Sequence, residues 1–253
     1  DIESANNKIK IVSPVLDFSR GAEDTRKQFI KIGRLLDRSA DDSARAFEKA
    51  NAEFLEMQKE FKAIGRKFIK ELESDREQTA FILFGRPYNA FAREINLNIP
   101  HKIASRGYKI IPYDFLDYED RYSYDNMYWY SGNEILSAAR YVKEHPQLYG
   151  IFITNFSCGP DSFVIPYFRK IMDSKPSLTL ELDSHSADVG VETRIEAAID
   201  IIKNYISLSG GKRDEEKIQK DILRVINRGD KLYVRDHYGK EYSIRNNDVE
   251  VLV

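Results

Sequence analysis

The chain has 253 residues, a formal net charge of −2 and 32% charged residues of both signs. Nucleic-acid binding needs clustered Lys and Arg, so this balance argues against a nucleic-acid partner. The single cysteine excludes an internal disulfide and suits a reducing, cytoplasmic setting. No apolar run approaches the roughly 18 residues of a membrane helix, so we expect no membrane partner. The chain begins at Asp1 rather than Met and ends in a strand-like tail, which suggests a piece of a longer polypeptide.

A strand and two helices are predicted in residues 1–78. Residues 8–12 form a short strand candidate, and residues 22–38 and 41–73 have helical periodicity. In the longer helix a Phe recurs every seven residues, at Phe47, Phe54, Phe61 and Phe68. Ala50, Met57 and Ile64 lie between these Phe residues with the same spacing. This heptad stripe has two interpretations. It is either the seam of a coiled-coil dimer or a face packed on the preceding helix or the chain's own sheet.

Strand and helix signals alternate through residues 79–210. The predicted strands are residues 79–84, 108–112, 150–154 and 177–182. The predicted helices are residues 98–107, 126–144, 162–172 and 191–206, the first of them capped by Asn98. Four such repeats of short apolar strands predict an α/β domain: a three-layer Rossmann-like or flavodoxin-like parallel sheet. A linker helix over 214–226 and a β-hairpin formed by 231–235 and 241–244 are predicted in residues 211–253, which we expect to lead into a further module.

The carboxyl ends of the predicted strands gather the residues that could form a site, because parallel strands all end at one edge of the sheet. The first strand is followed by Gly-Arg-Pro-Tyr-Asn and the third by Asn-Phe-Ser-Cys-Gly-Pro-Asp. We therefore expect a pocket at this edge. Its candidate residues are Arg86, Tyr88, Asn89, Asp114, Asn155, Ser157, Cys158, Asp161, Ser162, Asp183, Ser184, His185, Glu192 and Arg194.

Cys158 has three interpretations from its position in a loop after a buried strand. It is a thiolate ligand to iron or zinc, a nucleophile, or a small buried apolar residue. A nucleophile needs a base, and His185 is the histidine predicted at the same edge. A metal site normally needs three or four ligands, and this chain has no second cysteine.

Three other features each allow a structural and a functional interpretation. His185 is an acid/base or ligand, or part of a polar turn. Arg86 holds a carboxylate or phosphate of a ligand, or pairs with a loop Asp. The third is an aromatic cluster that forms either a lid or partner surface, or ordinary helix packing. Its members are Tyr118, Tyr122, Tyr124, Tyr128, Trp129 and Tyr130. No dinucleotide or P-loop phosphate motif is present.

Several segments together resemble one known family, the acyl-CoA dehydratase activase-related proteins, also called CoA-substrate-specific enzyme activases. Within that family the chain is similar to the module that resembles 2-hydroxyacyl-CoA dehydratase subunits. The segments that carry the resemblance are GRPYN at 85–89, IPYDFL at 111–116, NMYW at 126–129, NFSCGPDSF at 155–163, LELDSH at 180–185 and GVETRIE at 190–196.

The resemblance implies an anaerobic, ATP-driven electron-transfer system in which an ATPase activator reduces a dehydratase that carries a [4Fe-4S] cluster. It implies that Cys158 is one thiolate ligand of such a cluster in the full-length protein. The partners implied are ATPase activator domains or a dehydratase subunit, with a CoA thioester as a further ligand. This chain alone departs from the family pattern, since it lacks other cysteines and an ATPase phosphate motif. The alternative is a non-catalytic docking domain.

Overall fold

A computed structural model of the chain describes residues 11–118, 127–183 and 188–208, together with the backbone of three strands between residues 224 and 244. Its first feature is a helical hairpin of α1 (Ala22–Leu35) and α2 (Ala40–Glu73), preceded by a 3₁₀ turn at Phe18–Arg20. Ser39 begins α2, because its side chain accepts a hydrogen bond from the backbone N–H of Asp42.

The two helices pack closely because small and aromatic side chains alternate between them. The ring centroids of Phe29 and Phe47 lie 5.2 Å apart. A Cβ atom at Gly33 would lie only 1.8 Å from the Ser43 hydroxyl, so a larger residue would separate the helices at this point. The first half of the Phe stripe therefore packs on the preceding helix, as one of the two interpretations expected.

The second half of α2 packs on the parallel sheet. The Phe61 ring stacks on Phe115 at a centroid distance of 4.3 Å, and Leu72 is fully buried in the core. At Gly65 a Cβ atom would lie 1.8 Å from the Phe115 carbonyl oxygen, so glycine allows the close approach. Between the two packed halves Phe54 remains 52% exposed.

The central sheet has four parallel strands in the order β2-β1-β3-β4. They are β1 (Ala80–Phe84), β2 (Lys109–Pro112), β3 (Leu148–Asn155) and β4 (Ser177–Leu182). The connecting helices are α3 (Pro87–Ala90), α4 (Ile99–Ala104), α5 (Tyr130–Glu144), α6 (Gly159–Met172) and α7 (Asp188–Leu208). The α/β fold with a parallel sheet is therefore confirmed.

Both faces of the sheet are covered, which explains why its strands are continuous apolar runs. One core is formed with α2, α5 and α6, and it takes Ile82 and Phe84 from β1. The other is formed with α3, α4 and α7, and it takes Phe81 and Leu83 from the same strand. The chain thus leaves β1 toward one face and β3 toward the other. The strand order reverses between these two neighbours, which makes their carboxyl ends the topological switch point.

Two lysines stabilise the carboxyl ends of α5 and α6. The Lys175 ammonium is buried and donates to the carbonyl oxygens of Val142, at 2.6 Å, and His145. Lys143 donates in return to the Met172 carbonyl oxygen at 2.7 Å. Each helix end presents carbonyl groups and partial negative charge, so a cation stabilises it; Lys143 lies in α5, and Lys175 lies in the loop after α6.

Three sequence predictions differ from the structure, at the start of the chain, at Asn98 and near the C-terminus. Residues 8–10 of the first predicted strand lie outside the described residues, and residues 11 and 12 are not in a strand. Asn98 stands at the start of α4, but its side chain makes no capping hydrogen bond and its φ is 56°. The predicted linker helix is wrong over residues 224–226, which belong to strand β5 (Arg224–Arg228), while 214–223 lie outside the description.

The predicted C-terminal hairpin is confirmed as antiparallel pairing of β6 (Lys231–Arg235) with β7 (Glu241–Ile244). β5 pairs with β6 to complete a three-stranded sheet. β5 was not predicted from sequence because the charged and apolar residues of this segment also fit a helical period. Within the described residues, none of the helices combines the length and apolar character that crossing a membrane requires.

Candidate functional site

The loop after β1 brings Arg86 over the switch point because Gly85 turns the chain sharply. Gly85 has φ of +136°, and a Cβ atom there would lie 2.4 Å from the Ile153 carbonyl oxygen on β3. Only glycine combines this backbone conformation with so close an approach to the neighbouring strand. Pro87 then begins α3, where its missing N–H costs no hydrogen bond.

A buried ion pair joins the two sides of the switch point. The Arg86 Nε donates to the Asp161 Oδ1 at 3.0 Å, and the Thr154 hydroxyl donates to the Asp161 Oδ2 at 2.6 Å. The Asp161 side chain is 1% exposed, and both of its oxygens are engaged. We call these three residues, Arg86, Thr154 and Asp161, the Asp161 bridge. It ties the loop after β1 to the end of β3 and to the first turn of α6.

The charge of Arg86 is favoured in this position. Burial alone would lower the pKa of Arg86, but Tyr88 and the Asp161 carboxylate outweigh it, so the pKa is raised above its ordinary value. Arg86 therefore remains a cation at every accessible pH. Of the two interpretations of Arg86, the structure agrees with the one in which it pairs with a loop Asp of its own chain.

A second bridge links the same two loops. The Asn155 side-chain amide donates to the Asn89 Oδ1 at 2.9 Å. Asn89 is 1% exposed, and its Nδ2 has no hydrogen-bond partner among the described residues. Because Asn155 ends β3 and Asn89 lies in α3, this contact closes the crevice beside the Asp161 bridge.

Cys158 lies at the start of α6, next to both bridges. Ser157 adopts a left-handed conformation with φ of 60°, and the Cys158 N–H donates to the Asn155 carbonyl oxygen at 3.1 Å. The Cys158 carbonyl then accepts from the Ser162 N–H at 3.0 Å, which begins the helix. The Cys158 side chain is partly buried, whereas Ser157 and Ser162 are exposed. Negative charge is favoured at such a helix start.

Exposed aromatic side chains flank Cys158 in the chain, one in the loop before it and one in the first turns of α6. Phe156 is 69% exposed and Phe163 is 60% exposed, and the Phe163 ring lies 5.6 Å from the ring of Trp129. Large exposed apolar patches of this kind mark interaction surfaces. We call six aromatic residues of these neighbouring segments the aromatic rim: Tyr88, Tyr128, Tyr130, Phe156 and Phe163, which are exposed, and Trp129, which is partly buried. Of the aromatic cluster predicted from sequence, Tyr118 donates instead to Glu134, and Tyr122 and Tyr124 lie outside the described residues.

Asp114 lies in a 3₁₀ turn, Tyr113–Phe115, at the end of β2. Its Oδ1 is buried without a hydrogen bond among the described residues. Burial raises the pKa of Asp114, and the nearby charge of Glu134 raises it further, while Lys62 opposes both. The Asp114 carboxyl therefore binds a proton more readily in the folded chain than in the unfolded chain.

Replacing Asp114 with asparagine is expected to raise the free energy of unfolding at neutral pH. The folded pKa lies above the ordinary value of 3.8, so the folded state binds the proton more tightly than the unfolded state. Wild-type stability therefore falls as pH rises between these two pKa values, and Asp114→Asn removes this loss. Urea unfolding at neutral and mildly acidic pH measures the effect. A less stable variant at neutral pH would contradict it.

Glu192 and Arg194 are not brought to the switch point. Glu192 pairs with Lys102 at 3.0 Å, which ties α7 to α4. Arg194 donates to the Thr179 carbonyl oxygen at 2.7 Å, partway along β4. Ser184 and His185 lie outside the described residues, and Asp183 ends the described part of that loop.

Sequence reasoning missed Thr154, whose hydroxyl holds one oxygen of Asp161. The available signal was a polar residue at the end of an otherwise apolar strand. We interpreted Thr154 as part of the strand, because β-branched residues are common in strands.

Residues 2–116 match a family model described as the CoA enzyme activase uncharacterised domain (DUF2229). This is a little under half of the chain. It includes Arg86 and Asn89 but ends before their partners on β3 and α6. No curated protein and no solved structure matches the chain. The family match supports the conclusion that this chain is related to the CoA enzyme activases.

Proposed function

We propose that this chain is a dehydratase-subunit-like docking module of a CoA enzyme activase-related protein. The carboxyl edge of its parallel sheet seats an ATPase activator domain or a dehydratase subunit. The observation that carries the proposal is the aromatic rim, whose Phe156 and Phe163 are exposed on either side of Cys158 in the chain. Aromatic side chains of this kind are enriched where proteins bind one another.

The polar groups at the same edge support docking over catalysis on a small molecule. Both oxygens of Asp161 are engaged by Arg86 and Thr154, and Asn89 accepts from Asn155. A general acid or base must reach its substrate, and a 1% exposed carboxylate does not. A CoA thioester bound through Arg86 has less support for the same reason, since its Nε already donates to Asp161.

We also propose that Cys158 supplies one thiolate to a [4Fe-4S] cluster whose other ligands lie in the rest of the full-length protein. Its support is the position of Cys158, partly buried at a helix start amid the aromatic rim. The chain does not fit a complete cluster site. Cys158 is its only cysteine, and the described residues contain no group of three or more His, Cys, Asp or Glu suited to a metal ion. No step of a reaction can therefore be assigned to this chain alone.

Iron and sulfide content of the complete protein, purified without oxygen, tests both statements together. Cys158→Ala is expected to lower the iron content by removing a ligand. Phe163→Glu is expected to lower it by weakening the contact with the part of the full-length protein that completes the cluster. The matched control is Ile201→Glu, which changes a 57% exposed residue in the second half of α7.

Each outcome of this experiment has one meaning. Loss of iron in Cys158→Ala and in Phe163→Glu, with the control unchanged, supports a shared cluster at the rim. Wild-type iron content in Cys158→Ala would contradict the assignment of Cys158 as a ligand, and only the docking proposal would remain. Equal losses in Phe163→Glu and Ile201→Glu would show that the rim has no special role.

A further inference from the structure

Helix α2 carries two apolar stripes, and only one of them packs within the chain. Phe47 and Phe61 pack on Phe29 and Phe115, as described above. The second stripe is Ala50, Met57 and Ile64, one residue every seven. Ala50 is exposed, Met57 is 38% exposed and Ile64 is 51% exposed. We call these three residues the second stripe.

We propose that the second stripe is a two-fold interface between two copies of this chain, with the two α2 helices packed antiparallel and Met57 on the axis. Helix α2 has 34 residues, Ala40–Glu73, so Met57 lies at its middle. An antiparallel partner centred there places Met57 against Met57 and the small Ala50 against the large Ile64 of the second copy. Such a self-complementary match is what a two-fold interface requires.

The charge distribution of α2 favours the same arrangement. Residues 40–56 contain five acidic and two basic side chains, and residues 57–73 contain five basic and three acidic ones. The first half therefore has net charge −3 and the second half +2. An antiparallel partner lays each acidic half beside a basic half, whereas a parallel partner would place like charges together.

The exposed middle of α2 gives a second copy room to approach. Residues 52–60 are all exposed, because α1 covers the helix before this region and the sheet covers it afterwards. At a crossing angle of about 20°, typical of helix bundles, two long helices remain in contact over several turns. Two copies would then form a four-helix arrangement from both hairpins.

Sedimentation equilibrium of the 253-residue chain measures the association. The wild type is expected to have twice the chain mass of 29.4 kDa. Met57→Glu places two carboxylates face to face on the axis and should weaken association at least about 100-fold. The matched control is Leu55→Glu, because Leu55 is 47% exposed but lies on the opposite side of the same turn, beside Lys59 and Lys62. It should leave association unchanged.

Crosslinking tests the antiparallel orientation. In a Cys158→Ser background, Met57→Cys is expected to form a disulfide-linked dimer when diamide removes two electrons and two protons from the facing thiols. Ala50→Cys should not crosslink, because the two copies of residue 50 would lie about 21 Å apart along the axis. A monomeric wild type, equal dissociation by Leu55→Glu, or equally efficient crosslinking at residue 50 would each overturn the proposal.

Discussion

Replacing Asp161 with alanine is expected to lower the free energy of unfolding by about 3–5 kcal/mol, because it leaves a largely buried guanidinium without its partner. Arg86 is 19% exposed and donates to Asp161 at 3.0 Å. The loss also removes the acceptor of the Thr154 hydroxyl. Urea unfolding followed by circular dichroism measures the change.

Two further variants separate the contributions of the Asp161 bridge. Thr154→Val keeps the shape of the side chain and removes one hydrogen bond to the buried carboxylate, so it should cost about 1.5–3 kcal/mol, less than Asp161→Ala. The pair Arg86→Leu with Asp161→Leu removes both charges together and should cost less than Asp161→Ala alone, because no buried charge is left unpaired. A cost below about 1 kcal/mol for Asp161→Ala would contradict a buried ion pair at this point.

Replacing Gln147 with glutamate is expected to destabilise the protein by at least about 3 kcal/mol, although the two side chains have nearly the same shape. The Gln147 Nε2 donates to three carbonyl oxygens, those of Leu72 at 2.9 Å and of Asp75 and Gln78 at 2.8 Å each. A carboxylate at this position would face three acceptors with no proton to donate. The Gln147 side chain thus holds the turn between α2 and β1.

A matched substitution elsewhere controls for the added charge. Gln58→Glu changes an exposed position in the middle of α2 and should alter stability by less than about 0.5 kcal/mol. Lowering the pH should partly restore Gln147→Glu, because a protonated carboxyl can donate one hydrogen bond again. Equal stability of the two variants at neutral pH would show that the three carbonyl groups are satisfied without Gln147.

The sheet could be predicted from sequence because each strand is a short apolar run that ends at polar turn residues. β4 was predicted with its observed bounds, and β3 was placed correctly but two residues short at its start and one residue short at its end. The gathering of Arg86, Asn89, Asn155 and Asp161 at one edge also followed, since all parallel strands end there. Pairing of Arg86 with a loop Asp was one of two interpretations, but the identity of that Asp and the contact between Asn89 and Asn155 did not follow from the pattern.

Strand order and long-range contacts decide the remainder. Arg86 reaches Asp161, 75 residues away, because β1 and β3 are neighbours in the sheet. No local sequence signal encodes this pairing. Gln147 reaches backbone groups 69 to 75 residues earlier in the chain, at positions where any residue presents a carbonyl. Such contacts depend on tertiary packing, so spacing in the sequence could not indicate them.

The heptad stripe predicted a helix but not the partners of its faces. Its period predicted one long helix correctly, and α2 was observed within one residue of the predicted bounds. Period alone did not show that Phe47 and Phe61 pack inside the chain while Met57 and Ile64 remain exposed. The partner of each face became visible only with the hairpin and the sheet in place.

Docking at the aromatic rim is tested by titrating the purified chain with an ATPase activator domain and with a dehydratase subunit from the same source. The wild type is expected to bind one of them. Phe163→Glu should weaken that binding by about tenfold or more, as for a central interface aromatic, while Ile201→Glu leaves it unchanged. Wild-type affinity in Phe163→Glu, or no binding of either partner by the wild type, would contradict the docking account.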